Sequence, residues 1–204
     1  MSLTFNEEDH SYHWSGRPVP SVTQVLAPVV DLSAVPPDIL SAAAAFGTAV
    51  HKACELDDLG VLDEAALDAP LVPYLDAWRR FSYEHSVIWD HVEKRLYHRT
   101  LRYAGTADRI GRVDGVPSVV DIKTSATLYP SVGLQLAAYE RAISADPLLD
   151  SVSQRISVRL KPDGSYEMHA HQESDDFAVF ASLLTLRNWC RKNSINPSIT
   201  KEHA

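Results

Sequence analysis

Asp108 and Asp121 stand among apolar residues in the segment 105–124, where an unpaired charge would be costly to bury. Asp114 and Gly115 form a strong signal for a two-residue hairpin turn within this segment. If these two residues form the loop, Asp108 lies directly opposite Asp121 on the paired strand. Directly opposed side chains have Cβ atoms ~5 Å apart, and like charges at that separation destabilise a sheet. The pair therefore calls for a compensating positive charge.

Lys123 lies two residues after Asp121, so strand alternation places both side chains on one face. A divalent cation such as Mg²⁺ or Mn²⁺, which prefers oxygen ligands, would compensate the two carboxylates. Such an ion can polarise a phosphate and lower the pKa of a bound water, and a nearby ammonium can stabilise the developing charge. Asp108, Asp121 and Lys123 thus have the parts needed for phosphodiester hydrolysis. The alternative is an exposed Asp–Lys–Asp face that carries no metal.

The elements that must position these residues follow from the pattern of apolar positions and turn residues. The sequence predicts a short helix opened by a capping box at 21–24, helices over 36–59 and 72–85, strands within 87–124, a helix over 131–144, a hairpin of 151–160 with 166–171, and a helix over 175–192. Turn signals inside the strand block lie at 103–105 and 113–116. This order predicts an α/β sandwich in which helices flank a central mixed β-sheet, in one domain over residues 1–204.

The composition is that of an ordinary globular chain and excludes several classes of protein. Of 204 residues, 45% are hydrophobic and 23% are charged. No stretch approaches the ~20 apolar residues of a membrane span, and the N-terminus lacks the basic flank and apolar core of a signal peptide. Cys54 and Cys190 are too few for a disulfide framework or a four-cysteine iron–sulfur site. We therefore expect a cytoplasmic protein with buried cysteines, no membrane partner and no iron–sulfur cluster.

A strip of basic residues runs along the strand block of this acidic chain, whose net charge is −8. The net charge argues mildly against a nucleic-acid partner, but binding depends on local charge. Between positions 94 and 112 the acidic side chain of Asp108 alone interrupts the basic residues Lys94, Arg95, Arg99, Arg102, Arg109 and Arg112. The strip is compatible with a solvated hairpin. It is also compatible with a DNA groove, whose contacts would be Lys94, Arg95, Arg99, Arg102 and Arg112.

Two predicted helices carry polar residues at spacings that share a face. Gly47 precedes His51 by one turn and would let the helix backbone pack closely against a strand or DNA, and Glu55 follows at i+4. Gln135 and Tyr139 are also four residues apart. Each has a structural alternative: a packed or capping histidine, a solvated glutamate, and a polar fringe that packs a helix on the sheet.

These motifs, in their order along the chain, resemble the PD-(D/E)XK nuclease superfamily, in its RecB-like and phage exonuclease branch. The segments 105–108 and 121–123 are similar to the D…DxK core, 135–139 to the QxxxY helix, and 47–51 to the GxxxH motif. The opening segment 10–23 looks like the leader of phage and prophage members. The resemblance covers about residues 10–139 and implies a restriction-endonuclease-like core.

The resemblance also implies roles for individual residues. Asp108 and Asp121 would bind the metal, with the carbonyl of Ile122 and the side chain of His51 as further ligands, and Lys123 would be catalytic. The auxiliary residues would be Glu55, Glu93, Gln135 and Tyr139, of which Glu93 stands where related nucleases often carry an acidic residue.

The function that follows is a magnesium- or manganese-dependent deoxyribonuclease, an exonuclease in phage or bacterial recombination and repair. Exonuclease mode rests on the resemblance and on the lack of a separate target-recognition domain. Its partners would be DNA and a single-strand annealing or recombination protein, and a ring-shaped homo-oligomer would suit processive cleavage. The alternatives are an endonuclease on branched or foreign DNA and a nuclease-fold protein that binds DNA without cleaving it.

Overall fold

Eight strands form two sheets in the computed structural model, which describes residues 2–7 and 9–195. A small antiparallel sheet contains β1 (Leu3–Asn6), β2 (Ser11–Trp14) and β3 (Arg17–Val19). The central sheet has the spatial order β4 (Ile88–His98), β5 (Tyr103–Val113), β6 (Val116–Lys123), β7 (Gln154–Leu160) and β8 (Tyr166–Ala170). Its neighbours are antiparallel except β6 and β7, which are parallel, so the sheet is mixed as the sequence predicts.

Helices flank this sheet and complete the predicted α/β fold. They are α1 (Val22–Leu26), α2 (Pro37–Asp58), α3 (Val72–Glu84), α4 (Ser131–Ser144) and α5 (Asp176–Lys192), with 3₁₀ turns at Ala27–Val29, Glu64–Ala66 and Ala69–Leu71. Helix α4 provides the crossover that the parallel strands β6 and β7 require. Among the described helices, none is long and apolar enough to cross a membrane.

The ends of α1 and α2 follow from local chemistry. The side chain of Ser21 accepts a hydrogen bond from the backbone N–H of Gln24, whose own side chain accepts from the Ser21 N–H, so the predicted capping box is confirmed. Pro37 begins α2, where its missing N–H costs nothing. Gly60 follows the helix at φ +68°, a left-handed conformation that favours glycine.

The core is divided between the two faces of the central sheet. Val119 on β6 belongs to a buried cluster with Leu136 of α4 and residues of α1 and α5. Its neighbour Val120 belongs to a second cluster, which contains Trp78 and Phe81 of α3. Consecutive β6 residues therefore face opposite helix layers, and each fully buried large side chain contributes roughly 1.5–3 kcal/mol. Both cysteines are buried, as expected.

The predicted β5–β6 hairpin is confirmed in its register. Val113 pairs with Val116, and the same register continues to Arg109 and Val120. The two loop residues have φ values of +51° at Asp114 and +78° at Gly115, as a type I′ turn requires.

The turn predicted at 103–105 is wrong, because the chain turns at residues 99–102 and Tyr103 already lies in β5. Tyr103 is fully buried, and its hydroxyl donates a hydrogen bond to the carbonyl of Ala138, 2.8 Å away. Gly105 marks a close approach to a helix: an added Cβ would lie 2.6 Å from the Tyr139 ring. Gly105 therefore serves close packing between β5 and α4, and not a turn.

Candidate active site

The carboxylates of Asp108 and Asp121 lie just beyond the last β5–β6 pair, that of Arg109 with Val120. The side chain of Asp108 accepts a hydrogen bond of 2.7 Å from the backbone N–H of Ile122, which bridges the two strands. Asp108 is 8% exposed and Asp121 is 1% exposed. The structure therefore brings two buried carboxylates together, as the hairpin register predicts.

Asp121 is held by two cationic or polar partners. Its Oδ2 lies 2.7 Å from Nζ of Lys123, and its Oδ1 accepts a 2.8 Å hydrogen bond from the side-chain amide of Gln135. Burial, joined by the charge of Asp108, raises the pKa of Asp121 to about 6 against the opposing effect of Lys123. Burial lowers the pKa of Lys123, but the two carboxylates outweigh it and raise that pKa. Lys123 is therefore a charged ammonium at neutral pH.

Helix α4 sets the position of Gln135 through Tyr139. The Gln135 amide also donates to the Tyr139 hydroxyl at 3.2 Å, and its carbonyl lies 3.4 Å from Nζ of Lys123. Tyr139 is buried, and burial together with the two aspartates raises its pKa, so the phenol stays neutral. The ring packs where Gly105 leaves room on β5. Gln135 thus joins Asp121 to Lys123 and is itself oriented by Tyr139.

Three elements bring a possible metal site together around Asp108. His51 of α2, Glu93 of β4 and Asp108 of β5 each offer one ligand atom, and these atoms all lie within 4.8 Å of one another. The His51 Nδ1 is 3.5 Å from Asp108 Oδ2. Burial, joined by the charge of Asp108, raises the pKa of Glu93 to about 7. One imidazole nitrogen and two carboxylate oxygens, with negative charge in excess, fit a divalent cation.

The other predicted ligands lie beside this group. The Asp121 carboxylate contacts Lys123 and Gln135, and it is not one of the three clustered ligands. Ile122 follows it on β6 and is fully buried, with its N–H bound to Asp108. Glu55 pairs with Lys52 at 2.9 Å, although its charge contributes to the raised pKa of Glu93.

Arg109 lies at the site, although from the sequence it is counted only in the basic strip and is given no role. Arg109 is fully buried. It binds Asp58 at 2.6 Å, Glu93 at 3.2 Å and the carbonyl of Asp108 at 2.6 Å, and its guanidinium lies 5.5 Å from the centre of the Trp78 ring. Glu93 itself has φ +49°, a conformation rare outside glycine. Arg109 therefore fixes one proposed ligand and ties β4 and β5 to the end of α2.

A cleft of about 390 Å³ opens between α2 and the end of β6, and His51 and Lys123 are among the residues that line it. Gly47 allows the helix to approach this closely, since an added Cβ would lie 3.2 Å from the hydroxyl of Thr124. A molecule in the cleft can therefore reach both His51 and Lys123.

The basic residues proposed for DNA divide into two groups. Lys94 is half-buried, and Arg95, Arg99 and Arg102 are exposed toward the β4–β5 turn. Arg112 lies at the other end of β5, where it donates to the carbonyl of Gly115. The five side chains are therefore not one continuous patch.

No protein-family profile and no curated protein matches the chain. Among solved structures, it is similar to the alkaline exonuclease LHK-Exo from Laribacter hongkongensis, with 13% identity, coverage of 85% of this chain and 92% of that chain, and a TM-score of 0.42. A structure of LHK-Exo in complex with dAMP is 12% identical, with coverage of 86% and 93% and a TM-score of 0.46.

Proposed function

We propose that the chain is a divalent-metal-dependent nuclease that hydrolyses phosphodiester bonds of DNA, with Asp108, Asp121 and Lys123 at its catalytic centre. One observation carries the proposal: two buried carboxylates lie together beside a charged lysine, 2.7 Å from Asp121, and that lysine lines a cleft. Such neighbours are costly to a fold, and a scaffold would be more stable with apolar residues of similar size. Phosphate chemistry gives each of them a use.

The metal would be Mg²⁺ or Mn²⁺, held by His51, Glu93 and Asp108. Asp121 and the carbonyl of Ile122 are the further ligands proposed from the sequence motifs. When bound, such an ion polarises a phosphate oxygen and lowers the pKa of a bound water. Burial, joined by the charge of Asp108, raises the pKa of Glu93, and the close spacing of the two carboxylates and the imidazole supports a cation at this position.

Lys123 would place its ammonium beside the phosphate and stabilise the negative charge that develops on it. The side chain is oriented before any substrate arrives, because Asp121 and Gln135 both contact its Nζ. Tyr139 holds the Gln135 amide in turn, so the auxiliary role proposed for these two residues is to keep the lysine and the aspartate in register.

An exonuclease in phage or bacterial recombination and repair, working with a single-strand annealing protein, is the mode that the order of the sequence motifs supports. A ring-shaped homo-oligomer belongs to the same proposal.

Cleavage assays with a matched lysine control test the proposal. The purified protein is incubated with linear, covalently closed, branched and single-stranded DNA in magnesium or manganese, beside reactions with a chelator. We expect metal-dependent cleavage, which Lys123→Ala lowers by ~10²–10³ while leaving the fold intact. Lys161→Ala removes the same charge at the end of β7 and should cleave at the wild-type rate.

The substrates separate the alternatives. Cleavage restricted to DNA with free ends supports an exonuclease, whereas cutting of closed plasmid indicates an endonuclease. If the wild type binds DNA but cuts none of these substrates with either metal, the nuclease proposal is wrong and the fold serves binding alone. If Lys123→Ala cuts as fast as the wild type, the chemistry belongs to other residues.

A further inference from the structure

A second and larger groove, of about 1130 Å³, lies at the β4–β5 turn. It is bounded by the β2–β3 hairpin, by that turn and by the last turns of α5. The lining residues on which its chemistry depends are Trp14, Arg17, Tyr97, Arg99, Arg102 and Arg191. None of these belongs to the cleft beside His51 and Lys123.

The groove concentrates positive charge on an acidic protein. Four of its lining residues are arginines and none is acidic. None of the four forms an ion pair with a carboxylate among residues 2–7 and 9–195. Arg187 lies one turn before Arg191 on α5, and burial, joined by the charge of Arg191, lowers its pKa. With a net charge of −8, such a local excess would concentrate anionic partners.

Aromatic rings accompany the arginines. The rings of Trp14 and Tyr97 stack with centroids 4.2 Å apart and planes inclined by 19°. The guanidinium of Arg99 lies 5.8 Å from the centre of the Trp14 ring. Aromatic and guanidinium planes are the surfaces on which unpaired nucleobases stack, and arginines bind the phosphates between them. In a duplex the base faces are already covered, so this combination favours a single strand.

We propose that the groove binds a single-stranded segment of nucleic acid, with a base stacked at Trp14 and phosphates on the arginines. The inference rests on the proposed function, because the bound strand would be the substrate held beside the cleavage centre.

The spacing along the strands sets the length of that segment. Tyr97 lies four residues from Glu93 on β4, and Arg102, in the turn before β5, lies six residues from Asp108. At ~3.4 Å per strand residue, the groove is about 14–20 Å from the proposed metal ligands. A stacked strand advances ~3.4 Å per nucleotide, so about four to six nucleotides would join the two sites.

The test measures binding without cleavage. Fluorescence anisotropy of labelled oligo-dT of 4, 8, 12 and 20 nucleotides, in chelator and at several salt concentrations, gives affinity and salt dependence. We expect Trp14→Ala to bind the 12-mer about 5- to 100-fold more weakly, and Trp14→Phe to stay near wild type because it keeps a stacking surface.

The arginines are tested separately, which keeps the proposal open to refutation if Trp14→Ala folds poorly. In the double variant Arg99→Ala/Arg102→Ala, the slope of log K against log salt concentration should become shallower by about 1.4, because each lost phosphate contact accounts for ~0.7. Arg80→Ala removes an exposed arginine on α3 and should bind as the wild type does.

The outcomes distinguish the groove from the active site. A wild type that binds the longer oligonucleotides, with binding lost in both groove variants, supports the proposal, and the same result with oligo-U extends it to RNA. Groove variants that bind like the wild type overturn it, and so does tighter binding of duplex than of single strands. It is also overturned if polyglutamate displaces the oligonucleotide equally well from the wild type and from Trp14→Ala. Because no metal is present, a wild type that binds through the groove but never cleaves contradicts the proposed nuclease activity alone.

Discussion

Replacing Arg109 with methionine should destabilise the protein far more than any surface substitution. The guanidinium is fully buried, and methionine keeps its length without its charge. Asp58, whose side chain is 8% exposed, then loses a 2.6 Å partner, while Glu93, at 33%, keeps more water. Breaking a buried ion pair by removing one partner costs ~3–5 kcal/mol. Proton uptake limits that cost, since burial already raises the pKa of Asp58, so we expect about 3 kcal/mol.

Urea and thermal unfolding measure this directly. A loss of about 3 kcal/mol corresponds to about 6–12 °C in Tm for a chain of this size. The stability deficit of Arg109→Met should shrink as the pH falls from 8 to 5. The reason is that Asp58, without Arg109, has a raised folded-state pKa. The variant is therefore more stable below that pKa, where Asp58 is protonated, and less stable above it, where Asp58 is charged.

A double-mutant cycle supplies the refutation. Asp58→Asn combined with Arg109→Met should cost less than the sum of the single changes by ~1–2 kcal/mol, because no unpaired charge is then left at Asp58. Arg80→Met, on the exposed side of α3, should change stability by less than ~0.5 kcal/mol. A cost below ~1 kcal/mol for Arg109→Met, or additive costs in the cycle, would falsify the view that this guanidinium holds the site together.

Three further predictions concern the metal, the packing and the pH response. Manganese at about 100 times its Kd should raise the Tm of the wild type by ~5–10 °C. Asp108→Asn should abolish this rise and leave the metal-free protein at least as stable. An unchanged metal-induced rise would exclude Asp108 as a ligand. Gly105→Ala should cost ~1–3 kcal/mol in urea unfolding, because its Cβ would lie 2.6 Å from the Tyr139 ring, and Tyr139→Leu should recover part of that loss. Burial lowers the pKa of His171 to about 4, so the wild type should lose stability as the pH falls from 6.5 toward 4. Since that ring is partly exposed, the loss should be about 1 kcal/mol, and thermal scans of His171→Asn should lack it.

The parts of the fold that the sequence predicts are those governed by short-range chemistry. The Asp114–Gly115 turn fixes the β5–β6 register, because only a few residue types tolerate its positive φ angles. Alternation along β6 then places Asp121 and Lys123 on one face, where their atoms are 2.7 Å apart. Ser15 and Gly16 also have positive φ angles and connect β2 to β3, a hairpin that is not predicted from the sequence because this segment is assigned only a resemblance to a leader.

What the sequence could not predict is which distant elements converge. His51, Glu93 and Asp108 come from one helix and two strands, and their proximity depends on how α2 packs against the sheet. The burial of Arg109 depends on the same packing, because its partner Asp58 stands at the end of α2. In the sequence this arginine is indistinguishable from its exposed neighbours in the basic strip. Its one local signal is its place between Asp108 and Ile110, in a strand that also contains Ala104, Ala107 and Val113.

The two aspartates of the hairpin are not equivalent, and the difference indicates where a cation would bind. Asp121 is compensated within the protein, because Lys123 and Gln135 contact its two oxygens. Asp108 faces His51 and Glu93, shares the charge of Lys123 with Asp121, and lies beside Arg109, which pairs with Asp58. Burial raises the pKa of Glu93, and the charge of Asp108 adds to that rise. The lysine therefore serves the Asp121 side of the hairpin, and a divalent ion on the Asp108 side would complete the compensation that the opposed carboxylates require.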